Sequence, residues 1–127
     1  TQINTTFIRK ELKKKGLIKI VKQRITEEMI YIEEYAGAII TSKNIEYSSL
    51  LDNPNVATEL KDYTGLGLWD KYILTHSNEF PFEECTAETI RNYFEKLDLL
   101  PINNYTAVVI EMGIFQSFKM ISSRGVK

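Results

Sequence analysis

The chain has 127 residues and a net charge of −1, with 43% hydrophobic and 26% charged residues, six glycines and three prolines. That composition excludes disorder, collagen-like repeats and low complexity, and it suffices for one domain with its own core. Cys85 is the only cysteine and His76 the only histidine, which excludes an intramolecular disulfide framework and a multi-histidine metal site and suits a reducing compartment. No apolar run reaches the ~18 residues of a membrane span and no signal peptide opens the chain, so the expected location is cytoplasmic with no membrane partner.

The first predicted element is a helix from about Phe7, capped by Asn4, Thr5 or Thr6 and ended by Gly16 as a left-handed residue. Ile8 and Leu12 share its apolar face, and Arg9, Lys10, Lys13 and Lys14 share the opposite one. Leu17 to Lys22 is short and β-branched, which predicts a strand. Across residues 8–24 eight basic residues face Glu11 alone, whereas residues 25–100 carry fifteen acids against five basic residues. Such segregation serves either a polyanion-binding patch or internal neutralisation against the acidic middle.

Residues 27–41 predict a helix from the spacing of Met29, Ile32, Ala36 and Ile39, with a hairpin over Met29–Tyr35 as the competing reading. A polar connector over 41–57 breaks at Asn53-Pro54-Asn55. Short helices are expected from Val56 to Tyr63 and from Leu68 to Thr75, with Phe80-Pro81-Phe82 as a loop that plugs two aromatics into the core. A longer helix follows from Thr86, striped by Ile90, Tyr93, Phe94 and Leu97 and closed by Pro101. Thr106 to Phe115 reads equally as strand or helix. The expected core is Leu12, Ile20, Ile32, Ile39, Leu51, Leu60, Trp69, Ile73, Ile90, Phe94, Leu97 and Val109.

Little in this pattern points to chemistry. Gly65-Leu66-Gly67 lacks the third glycine of a phosphate-binding loop. A nucleophilic pair of Cys85 and His76 has no evident third group to orient the imidazole. The acid pairs Glu27/Glu28, Glu33/Glu34 and Glu83/Glu84 diverge by about 100° on a helix and do not converge on a substrate. Asp70 with Glu79 or Glu83 is a possible carboxylate pair across a loop, and Trp69, Phe80 and Phe82 suit a core better than a stacking platform. No catalytic residue, metal ligand or cofactor is expected.

The stretch LKKKGLIKIVKQR resembles the end of a recognition helix and the first wing strand of winged-helix proteins, and residues 68–115 resemble the same helix and wing order. The resemblance implies an α+β, mainly helical single domain over 1–127 with one or two short hairpins or wings, and sub-units at 1–45 and 68–115. It also implies a small non-enzymatic regulatory protein that contacts nucleic acid through Arg9, Lys10, Lys13, Lys14, Lys15, Lys19, Lys22 and Arg24. The alternative is a bacterial or phage inhibitor or immunity-type protein whose acidic middle covers a basic partner. A protein partner or a homo-oligomer is expected in either case.

Overall fold

The computed structural model describes residues 5–51, 62–111 and 114–119. Helix α1 spans Thr5–Lys14, α2 Ile18–Thr26 and α3 Ala36–Ile40, followed by a 3-10 turn at Glu46–Leu50. Strand β1 (Tyr72–Leu74), helix α4 (Glu83–Tyr93) and strand β2 (Leu99–Pro101) come next, and strands β3 (Thr106–Glu111) and β4 (Ile114–Lys119) end the described chain.

Helix α1 closes as the sequence predicts. Gly16 adopts φ 66°, and the amides of Gly16 and Leu17 donate to the carbonyls of Lys13 and Leu12. These two bonds are the Schellman pair that satisfies the last carbonyls of a helix. The expected strand after Gly16 is instead α2. Ile18, Val21 and Ile25 are its half-buried positions, three and four residues apart, so the β-branched run forms a helical stripe.

The element that sets the architecture is the β1–α4–β2 crossover. β1 and β2 are parallel, with Tyr72 opposite Leu99, Ile73 opposite Leu100 and Leu74 opposite Pro101. A parallel pair requires a long crossover connection, and α4 supplies it. This βαβ unit corrects the mainly helical, winged-helix expectation: the chain predicted helical over Leu68–Thr75 contains β1, and Leu99–Pro101 lies in a strand rather than at a helix end. Its α4 helix begins at Glu83, ahead of the predicted Thr86, and ends at Tyr93. Thr86 lies within the first turns, its hydroxyl donating to the Phe82 carbonyl at 2.7 Å. β3 and β4 pair antiparallel, with Thr106 opposite Lys119 and Glu111 opposite Ile114, so the described residues of the 106–115 segment are strand.

The core gathers Ile39, Ile45, Tyr47 and Leu74, with Leu51, Tyr63, Tyr72, Ile90, Tyr93, Leu97 and Leu99 packed against them. The Tyr47 hydroxyl donates to the Ile73 carbonyl at 2.6 Å, which lets a polar aromatic be fully buried. Of the predicted core, Ile39 and Ile73 are buried, whereas Ile20, Ile32, Phe94 and Val109 are exposed. Phe80 is also exposed, contrary to its expected role as a core plug. The predicted Val56–Tyr63 helix lies largely, and Leu60 entirely, outside the described residues. No helix among the described residues is long and apolar enough to cross a membrane.

Candidate active site

Three loop positions converge beside the parallel pair. β1 runs out through Thr75 into a turn in which His76 and Asn78 both take φ 58°. β2 runs out through Ile102, whose amide donates to the Leu74 carbonyl at 2.9 Å and whose carbonyl accepts from the Ser77 amide at 2.9 Å. These bonds carry the parallel register past the strand ends and bring Asn104 beside His76. In open α/β sheets, ligands bind beyond the carboxyl ends of the strands, which is where both residues stand.

His76 is buried, and its Nδ1 lies 3.0 Å from Asn104 Oδ1. With the amide oxygen as acceptor, Nδ1 carries the proton and Nε2 presents its lone pair. Nε2 is buried and has no hydrogen-bond partner among the described residues. The imidazole lies between two aromatic rings. Tyr35 stacks on one face at 4.4 Å between centroids and 18° between planes, and Phe82 stacks on the other at 4.6 Å and 18°.

Tyr35 is held there by an unusual backbone turn. Met29–Glu34 has no regular secondary structure, Tyr35 takes φ 52°, ψ −113°, and α3 starts at the next residue. A positive φ is costly for a bulky residue, and such strain collects at functional sites. One strained residue followed at once by a helix resembles the turn of a nucleophile elbow, whose usual sequence is G-x-S-x-G and which a strand usually enters. Here the corresponding residues are Glu33-Glu34-Tyr35-Ala36-Gly37, so only the last glycine of that pattern is present and tyrosine occupies the serine position.

The elbow's flank explains that remaining glycine. A Cβ built on Gly37 would sit 2.1 Å from Glu33 Oε2, so a side chain there would displace the Glu33 carboxyl. Burial, and secondarily the charge of Glu34, push the Glu33 carboxyl up to about 8. Tyr31 donates to the Gly37 carbonyl at 3.2 Å, and burial pushes its phenol up to about 12.

Cys85 does not join this cluster as a nucleophile. Its thiol donates to the Phe82 carbonyl at 3.3 Å, and burial raises its pKa, so the reactive thiolate is disfavoured. No group of acids, histidine and cysteine suited to a metal ion occurs among the described residues. Asp70 is engaged in an ion pair with Lys43. A surface hollow of about 390 Å³ on α1, lined by Phe7, Ile8, Glu11, Leu12, Lys15 and Leu17, includes none of the residues around His76.

The basic residues singled out in the sequence are distributed differently. Arg9, expected on an exposed face, is 4% exposed; its Nε donates to the Thr64 carbonyl and its Nη2 to Asp62 Oδ2 at 3.2 Å. Lys13 approaches the same Asp62 at 3.8 Å, Lys15 pairs with Glu11 and Arg24 with Glu27. Lys10 is half-buried, while Lys14, Lys19 and Lys22 are exposed. Sequence reasoning therefore missed Tyr35 and Asn104, and it set His76 aside for want of the orienting group that Asn104 supplies. Without its serine and first glycine, the elbow left no motif to find.

A model of peptidase family S51 matches residues 4–117. An uncharacterised peptidase of Listeria innocua is 38% identical over 107 residues, covering 84% of this chain and 51% of the relative. A second, from Pasteurella multocida, is 37% identical over 107 residues, covering 84% and 52%. The crystal structure of a peptidase E-like protein from Listeria monocytogenes EGD-e superposes with a TM-score of 0.89 at 34% identity, covering 94% of this chain and 57% of that one. The chain thus spans about half the length of the curated relatives it matches. These matches overturn the winged-helix resemblance, the nucleic-acid and inhibitor readings, and the expectation of a non-enzymatic protein. The match runs over residues 4–117, a span that includes Tyr35, His76 and Asn104, and the chain belongs to peptidase family S51.

Proposed function

We propose that the protein hydrolyses peptide bonds with His76 as its acid–base residue. The observation that carries this reading is the position of His76 in a chain of a peptidase family: beside the elbow, with Nδ1 on Asn104. A histidine whose Nδ1–H is held by an amide oxygen is fixed in one tautomer and orientation, the role that asparagine plays in Cys-His-Asn proteases. Nε2 then takes a proton from the attacking oxygen as the new C–O bond forms. As the C–N bond breaks, the same proton passes to the departing amine.

Hydrolysis of a mixed peptide library, read by mass spectrometry of the new amino termini, tests this assignment. His76→Ala should lower the rate by about 10²–10⁴-fold, the usual contribution of a positioned acid–base group, with an unchanged circular dichroism spectrum. Equal rates for the wild type and a folded His76→Ala variant would refute the proposal.

A further inference from the structure

Resting on that reading, we infer that Tyr35 occupies the nucleophile's place at the elbow without serving as the nucleophile, so that peptide cleavage here proceeds by water and forms no acyl-enzyme on the elbow side chain. Its backbone is that of an elbow nucleophile, with φ 52° and ψ −113° at the start of α3. The side chain is arranged otherwise. A nucleophile must point its oxygen at the lone pair of its base, in the plane of the imidazole. The Tyr35 ring instead lies nearly parallel to the imidazole, 4.4 Å from it and inclined by 18°, so it meets the base face to face. A phenol oxygen in the plane of a stacked ring cannot also lie in line with Nε2.

The stack has a second consequence. Phe82 stacks on the imidazole as well, so aromatic rings lie against the ring faces while Nε2, in the ring plane, is buried. Tyr35 is itself 41% exposed, which leaves it room to swing outward. Outward rotation opens space beside the imidazole for a water molecule and a carbonyl substrate. The water then gives its proton to Nε2, its oxygen adds to the carbonyl carbon, and the proton leaves with the amine when the C–N bond breaks. Tyr35 is a covering residue on the base, and the elbow remains shaped for a smaller, oxygen-bearing side chain.

A phosphonofluoridate probe reads this directly, because it phosphorylates a side-chain oxygen only where an adjacent base accepts the proton: the P–O bond forms, the P–F bond breaks and fluoride leaves. The full chain, Tyr35→Ser, and Tyr35→Ser with His76→Ala are treated with the probe, and adducts are located by peptide mass spectrometry. No adduct is expected on Tyr35 in the wild type. Tyr35→Ser should label at position 35 at least about 100-fold faster than the double variant, the lower end of what a positioned base contributes. Tyr35→Cys, read by His76-dependent alkylation with iodoacetamide, provides the same test should the serine variant fold poorly. A His76-dependent adduct on wild-type Tyr35 would overturn the inference by making the phenol a nucleophile. Folded serine and cysteine variants with no His76-dependent reaction would overturn it by showing that position 35 is not the nucleophile's place. Loss of peptide hydrolysis in His76→Ala is read separately, so failure of the function assignment leaves these labelling outcomes distinguishable.

Discussion

The helical pair α1–α2 and the loops beyond β1 and β2 carry opposite kinds of signal. α1 and α2 hold the densest charge in the sequence, yet in the fold Arg9, Lys13, Lys15 and Arg24 meet Asp62, Glu11 and Glu27, and Lys14, Lys19 and Lys22 are exposed. The site beside those loops draws on His76, Asn104 and, from the start of α3, Tyr35, scattered over seventy positions, and the fold stacks or hydrogen-bonds them together. Local charge density is visible in any window of sequence, whereas a site is a convergence that requires the topology. For this chain the parallel register of β1 and β2 is that topology.

Within the charged region the comparison is sharpened most by Arg9. Its guanidinium is buried and bonded to Thr64 and Asp62, so Arg9→Ala removes both bonds and the packed stem and leaves the Thr64 carbonyl without its donor. A loss of about 1–3 kcal/mol is expected, measured as a lower midpoint in urea unfolding. An unchanged midpoint would mean that Arg9 belongs with the surface lysines after all.

A smaller effect is expected beside the elbow, from Glu33. Its carboxyl is pushed up to about 8 in the folded chain, above its unfolded value, so the folded state holds a proton that the unfolded state has released. The resulting stability is fully present below about pH 4.3, where both states are protonated. It is lost as the pH rises toward and through 8. Glu33→Gln keeps the shape and removes the titration. The variant should match the wild type near pH 4 and exceed it by about 1–2 kcal/mol at pH 8, allowing for the carboxyl's partial exposure. Melting temperatures across that range provide the check, and parallel curves for the two proteins would contradict the assignment.

What the sequence made legible follows the range of the interactions involved. The end of α1 at Gly16 was readable because a Schellman close is decided within six residues. The β1–β2 pairing was not, since Ile73 and Leu100 are brought together only through the intervening crossover. Met29 to Tyr35 misled for another reason. Its apolar residues satisfy helical spacing, but Ile30 and Ile32 are exposed and the segment approaches the elbow without regular secondary structure. The one short pattern that would have marked the elbow, G-x-S-x-G, is absent because Glu33 stands at its first glycine and Tyr35 at its serine.

The smallest expected effect belongs to the exposed lysines. Lys14→Ala, Lys19→Ala and Lys22→Ala together should change stability by less than about 1 kcal/mol, since each replaces an exposed charge. The comparison is then decided by one measurement, the rate of peptide hydrolysis in this triple variant and in His76→Ala, each against the wild type. The expected result is a rate within about twofold for the lysine variant and a loss of at least about 100-fold for His76→Ala. The reverse pattern, with activity lost in the lysine variant and retained in a folded His76→Ala, would contradict the placement of the active site beyond β1 and β2.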